Sequence, residues 1–289
     1  MSELRKGDIV GRRSYDKDVL FKIIDFYTDG EQHMARLKGL HLRLSANAPL
    51  EDLIKMDPSE VSAYLVDQMK RTSEQMKRIF SRRAMDREVI YNRAVQEKNS
   101  IESFDVPGSV LHIDGDSDYL DLCMTTYRQL QIPAHGYNID EEQQPAQVED
   151  LLKKHMPDML VLTGHDGFIK GKQDYKDVES YYATKFFVEA VRAARRYEKS
   201  LDDLVIFAGA CQSHYEAILD AGANFASSPR RVLIHAYDPV FVMEKIAFTS
   251  IYDPVPLKEV IAGTITGFDG IGGVETRGKH RLGIPKSNF

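Results

Sequence analysis

From Phe104 onward the chain alternates short apolar runs with amphipathic stretches, and this alternation limits the possible folds more than any other feature. Ser109 to Ile113 is an apolar run, and Asp118 to Gln131 carries apolar side chains at helical spacing. Ala134 to Ile139 reads as a second strand and Val148 to His155 as a second helix. Met159 to Thr163 is a third strand, Tyr181 to Tyr197 a long amphipathic helix, Leu204 to Ala208 a fourth strand and Ser213 to Ala221 a further helix. Val232 to Ala236 completes the series as an expected fifth strand. Strands this uniformly apolar are buried on both faces, and the intervening helices supply the cover. The predicted class is therefore α/β, a mostly parallel sheet with helices on both faces, over residues 104–289. The tail from Gly270 to Gly283 reads as a Gly-rich turn and final hairpin.

Upstream the pattern differs. Residues 1–48 contain short strands at Gly7–Val10, Val19–Ile24, Ala35–Leu40 and Leu42–Leu44, with a turn at Thr28–Glu31, the spacing of a small β-barrel-like module. Such a module is either a docking surface for a partner or a structural cap. Residues 49–103 read as a charged helical linker: Val61, Leu65, Met69, Met76, Ile79 and Phe80 recur at helical spacing among charges. Basic residues outnumber acids from Lys70 to Lys98, yet charge runs on a long helix are usually a solvated face, so a polyanion-binding role is the weaker reading.

Hydrophobic residues make up 43% and charged residues 28% of the 289, which excludes wholesale disorder. The net charge of -6 argues against a nucleic-acid footprint over the whole surface. No apolar run reaches the ~18 residues of a membrane span. The charged N-terminus lacks a signal peptide's apolar region, and two cysteines, Cys123 and Cys211, suit a reducing cytosol.

Parallel sheets place ligands beyond the carboxyl ends of their strands. Those ends carry His112 with Asp114-Gly115-Asp116-Ser117-Asp118, then Gly164-His165-Asp166-Gly167, Gly209-Ala210-Cys211-Gln212-Ser213-His214, and His235 with Asp238. Cys211, between a buried strand and an expected helix N-terminus, is the candidate nucleophile, because amide groups and an imidazole there favour the thiolate. Cys123 falls on a helix and reads as core. The proton must be managed by a base, for which His165, His214 and His235 are the candidates, His165 foremost. Gly164 and Gly167 permit a tight loop whose amides could hold an oxyanion. Asp114, Asp116 and Asp118 match a calcium loop poorly, since its later glycine and glutamate are missing; capping of the next helix is the simpler reading. No metal or cofactor is required.

A histidine after one strand and a cysteine after the next, 46 positions later, resembles the caspase-like cysteine peptidases, with His165 and Ala210-Cys211 at the matching positions. Asp166 stands where that pattern has glycine. Longer blocks are similar to the YabG sporulation-specific endopeptidase family: Gly7 to Tyr15, Val110 to Asp116, Leu160 to Asp166, Leu204 to His214, Ala221 to Pro229 and Gly272 to Gly278. The resemblance spans nearly the whole chain and weakens between about 52 and 103. It implies a cysteine endopeptidase of the mother cell of a spore-forming bacterium, cleaving spore coat and spore-assembly proteins after basic residues, chiefly arginine. It also implies that His165 and Cys211 are the catalytic pair. Gly167, Asp166 and Gly164 are the expected support around the oxyanion, and Asp166, Asp238 and Asp253 are acids at the expected active edge. Two other readings stand beside it: an amidotransferase-like hydrolase using Cys211 with His235, and a non-catalytic coat scaffold.

Overall fold

The computed structural model describes residues 4–95 and 103–286; part of the charged tract, 96–102, lies outside the described residues. The chain divides into two compact units, Met1–Thr72 and Ser73–Phe289.

In the first unit β1 (Ile9–Arg12), β2 (Leu20–Asp29), β3 (Gln32–Gly39), β4 (Ser45–Pro49) and β5 (Leu53–Lys55) form an antiparallel sheet in the order β4-β3-β2-β1-β5. The edge strands β4 and β5 are joined by the single turn Leu50–Asp52. That link spans at most ~14 Å, whereas five flat strands would separate the edges by roughly 19 Å. The sheet therefore curls, around Val10, Leu20, Ile23, Ala35, Leu37 and Ala48, all buried. The expected strand at Leu42–Leu44 is displaced to β4, and β5 lies beyond the predicted end of the module at 48. Helix α1 (Pro58–Val95) follows, and the division between units falls within it.

In the second unit the elements are β6 (Phe104–Val106), β7 (Val110–Asp114), α2 (Ser117–Gln129), β8 (Ala134–Asn138), α3 (Gln144–His155), β9 (Met159–Thr163) and α4 (Thr184–Tyr197). After them come β10 (Val205–Ala208), α5 (Tyr215–Asp220), β11 (Phe225–Ser227), α6 (Asp238–Ala247), α7 (Leu257–Ala262), β12 (Ile271–Gly273) and β13 (Arg281–Gly283). The sheet order is β12-β11-β10-β9-β7-β8, parallel except for β12 at one edge. Counting parallel strands from β7, the layout is 2-1-3-4-5, a doubly wound arrangement whose direction reverses between β7 and β9.

Side chains alternate between two cores. Val110, Val161, Val205 and Phe207 pack with Cys123 and Tyr127 of α2 and with Val240, Phe241 and Met243 of α6. Leu111, Ile113, Leu160, Leu162 and Ile206 pack with Val148 and Leu152 of α3 and Phe187 and Val191 of α4. Right-handed crossovers require this split: the step from β7 to β8 runs one way and those from β8 to β11 the other, so α2 and α3–α5 cover opposite faces. Ile79 of α1 joins the α2–α6 face, and Arg83 reaches Leu130 O at 2.8 Å.

Two sequence expectations are corrected. Val232–Ala236 is not a strand; Phe225–Ser227 takes the place beside β10, and the later apolar run crosses the strand ends instead. The tail is not a hairpin, since β12 pairs with β11 and β13 with β6.

Candidate active site

The crevice at the reversal point, between the carboxyl ends of β7 and β9, is where a doubly wound sheet binds ligands. Leu162 of β9 is registered with Ala208 of β10, and His165 and Cys211 are each the third residue beyond that pair. Their contacts put both on the α2 side of the sheet: Cys211 packs in the core formed with α2 and α6. The His165 ring meets Tyr119 of α2, with centroids 5.7 Å apart.

Carboxylates surround His165. Its Nε2 lies 3.4 Å from Asp116 Oδ2, its Nδ1 3.9 Å from Glu141 Oε1, and its backbone N–H donates to Glu141 Oε1 at 2.6 Å. Burial, reinforced by the nearby Asp114 and Asp140 charges, pushes the Glu141 carboxyl up, against the His165 N–H bond that draws it down. Glu141 reaches this position because Gly115 and Gly164 have no side chains: a Cβ at either glycine would overlap its carboxylate. Glu141 belongs to an acidic turn before α3, and its only sequence signal is a pair of glycines at the ends of two strands.

Asp166 points the other way. Its Oδ1 accepts the N–H groups of Gly167 and Ala183, both at 2.8 Å, and its Oδ2 accepts the hydroxyls of Ser213, at 2.7 Å, and Thr184. Ser213 Oγ in turn accepts the Ala210 N–H at 2.9 Å, so Asp166 ties the loop carrying His165 to the turn carrying Cys211. Desolvation pushes its carboxyl up despite these four donors. The Gly167 N–H, expected to face a reacting carbonyl, is committed inward to Asp166.

Cys211 is fully buried. Ile234 N–H donates to its Sγ at 3.2 Å, and Gln212 N–H donates to Val232 O at 3.1 Å, so the irregular 232–234 segment covers the thiol. Gly209 begins the turn at φ +106, where any side chain would also strike Ser227 Oγ. The expected helix N-terminus is absent at this position: α5 begins at Tyr215 with His214 as its N-cap, and a helix dipole acts only over its first turn. Cys123, as expected, is core on α2, its Sγ 3.3 Å from Ala236 O.

The rival histidines are engaged elsewhere. His214 Nδ1 accepts the Ala217 N–H at 3.3 Å and its Nε2 lies 3.0 Å from Lys176 O. His235 Nδ1 accepts the Tyr237 N–H at 3.3 Å, although its chain neighbour Ile234 touches the sulfur. His112 is fully buried between Tyr127 OH and Thr163 Oγ1. Asp116 caps α2 through the N–H groups of Asp118 and Tyr119, in keeping with the capping reading.

The acids expected at the active edge divide. Asp166 and Asp238 are buried and consumed by hydrogen bonds, Asp238 by the N–H groups of His235 and Ile265 and by Thr266. Asp253 lies at the opposite edge, its carbonyl accepting from Gly278, whose neighbour Lys279 binds the carbonyls preceding β10. Among the described residues no group of three or more His, Cys, Asp or Glu forms a metal cluster, and no helix is long and apolar enough to cross a membrane.

A doubly wound α/β layer with acid–base groups gathered at its carboxyl-end crevice defines an α/β protein of enzyme type, although many chemistries share that class. The chain belongs to the YabG peptidase U57 family, which it matches over residues 5–285. It is 42% identical over 286 residues to the sporulation-specific protease YabG of Bacillus subtilis (strain 168), a match covering 98% of each chain. It is thus a peptidase by family.

Proposed function

We propose that this chain is a cysteine endopeptidase acting in sporulation, with Cys211 as nucleophile and His165 as the acid–base group. The observation that carries this reading is the register of β9 and β10, by which the two residues follow adjacent parallel strands, each three positions beyond the Leu162–Ala208 pair. Cys211 Sγ attacks the scissile carbonyl, and His165 takes the thiol proton and returns it to the leaving amine. Water, deprotonated by the same imidazole, then releases the acyl group. Because the thiol is covered, a substrate must displace Val232–Ile234; the Gln212 N–H, now shared between Val232 O at 3.1 Å and Ser228 Oγ at 2.9 Å, then turns from both to the tetrahedral oxygen. Asp166, Gly164 and Gly167 support the loop.

Cleavage after arginine is consistent with the exposed acids Asp118, Asp140 and Glu142 at the crevice rim. The substrates in this reading are spore coat and spore-assembly proteins in the mother cell. The curled N-terminal sheet, with a cavity of about 790 Å³ lined by Phe26, Met34, Leu53 and Ile54, is the surface for docking them. Membership of a peptidase family weighs against the amidotransferase-like and scaffold readings.

The test incubates the protein with a spore coat extract and reads new termini by mass spectrometry. Wild type is expected to generate ends following arginine, and Cys211→Ala and His165→Ala none. Full cleavage by His165→Ala, with loss in His235→Ala, overturns the assignment.

A further inference from the structure

Glu141 reaches the histidine loop from the turn before α3, and two glycines leave room for it. It is anchored by the His165 N–H at 2.6 Å, while the same oxygen stands 3.9 Å from the ring's Nδ1. That is longer than a hydrogen bond but close enough for a charge in a half-buried crevice to act on an imidazolium. We infer that Glu141 is a positioning residue for His165, holding its loop through the backbone and orienting and charge-stabilising its ring through Nδ1. The inference rests on His165 being the acid–base group.

The consequence is directional. A carboxylate beside Nδ1 favours the protonated ring, which is formed when the thiol gives up its proton, and leaves Nε2 to exchange that proton. Other groups stand near the ring or its loop as well. Asp114 and Asp116 lie at the end of β7, Tyr119 on α2, Asp140 beside Glu141, and Asp166 on the histidine's own loop. Of these, Asp116 is the competitor: its Oδ1 is engaged as the N-cap of α2, while its Oδ2 stands 3.4 Å from Nε2.

Glu141→Gln separates the two functions, because the amide oxygen still accepts the His165 N–H while the charge is gone. With ring-labelled histidine in a Cys211→Ala background, NMR titration is expected to place the His165 pKa about one unit lower in Glu141→Gln than with glutamate. In the enzyme with its thiol, labelled casein turnover is expected to fall roughly 10- to 100-fold in kcat with KM within about twofold. The acid limb of the pH profile moves to lower pH. If the Gln form folds poorly, Glu141→Asp, which retracts the charge by one methylene, should give a smaller shift of the same sign. An unchanged titration and unchanged kcat, with His165→Ala inactive, overturns this inference alone. An active His165→Ala overturns the catalytic reading beneath it.

Discussion

The two edges of the six-stranded layer carry buried charge of opposite sign. At the carboxyl edge lie Asp114, Asp116, Asp166 and Asp238, all buried. At the amino edge the buried cations are Arg83, on Leu130 O, and Lys279, on the carbonyls of Asp202 and Asp203; half-buried Arg195 binds the carbonyls of Gly222, Ser200 and Leu204. Glu244 is the exception and is neutralised by Arg82 and Arg83. The topology explains the division. Crossover helices start where strands end, so their unpaired N–H groups gather at one edge and their unpaired carbonyls at the other. A buried acid at the carboxyl edge is therefore a cap or clamp unless its contacts say otherwise, which is why Glu141 stands out and Asp166 does not.

The largest break in this comparison comes from the amino edge. Arg83→Met leaves the buried Glu244 carboxylate with only Arg82 and strips the Leu130 carbonyl. Denaturant unfolding should show a loss of about 3–5 kcal/mol. A loss under 1 kcal/mol would mean that these charges are not what holds that edge.

Asp166→Asn sharpens the carboxyl edge. The carboxyl is pushed above its ordinary 3.8 by burial, so the unfolded chain gives up this proton first as pH rises. Its contribution to stability is thus fully present below about 3.8 and falls as pH climbs through the raised native value. The Asn form should therefore lose less stability than wild type as pH rises from 4 to 7. Equal slopes in paired denaturation series would exclude Asp166 as a titrating clamp. The smallest effect belongs to an exposed pair near the start of α4: Lys185→Ala breaks its 3.2 Å contact with Glu179 and should change unfolding free energy by less than about 0.5 kcal/mol.

Much of the sheet was legible because strand and helix periodicities are local. Met159–Thr163 was placed to the residue, since a run buried on both faces has to be continuously apolar. Val232–Ala236 misled for the same reason. Ile234 and Ala236 are as buried as strand residues, but packing buries them across the strand ends without ladder pairing, and hydropathy registers burial alone. The candidate site was half legible. The proposed pair, His165 and Cys211, advertise themselves by residue type after apolar runs, whereas Glu141 looks like any acid ahead of a helix.

The sequence by itself determined the strands and helices from Val110 to Ala208, the parallel class of the sheet and the family, because these depend on periodicity and on runs of neighbouring residues. Tertiary structure alone decided that β9 sits between β7 and β10, that Glu141 enters the gap above Gly115 and Gly164, and that Val232–Ile234 covers Cys211. Those outcomes turn on which strands become neighbours, and that choice is made by crossover handedness and packing between segments far apart in the chain.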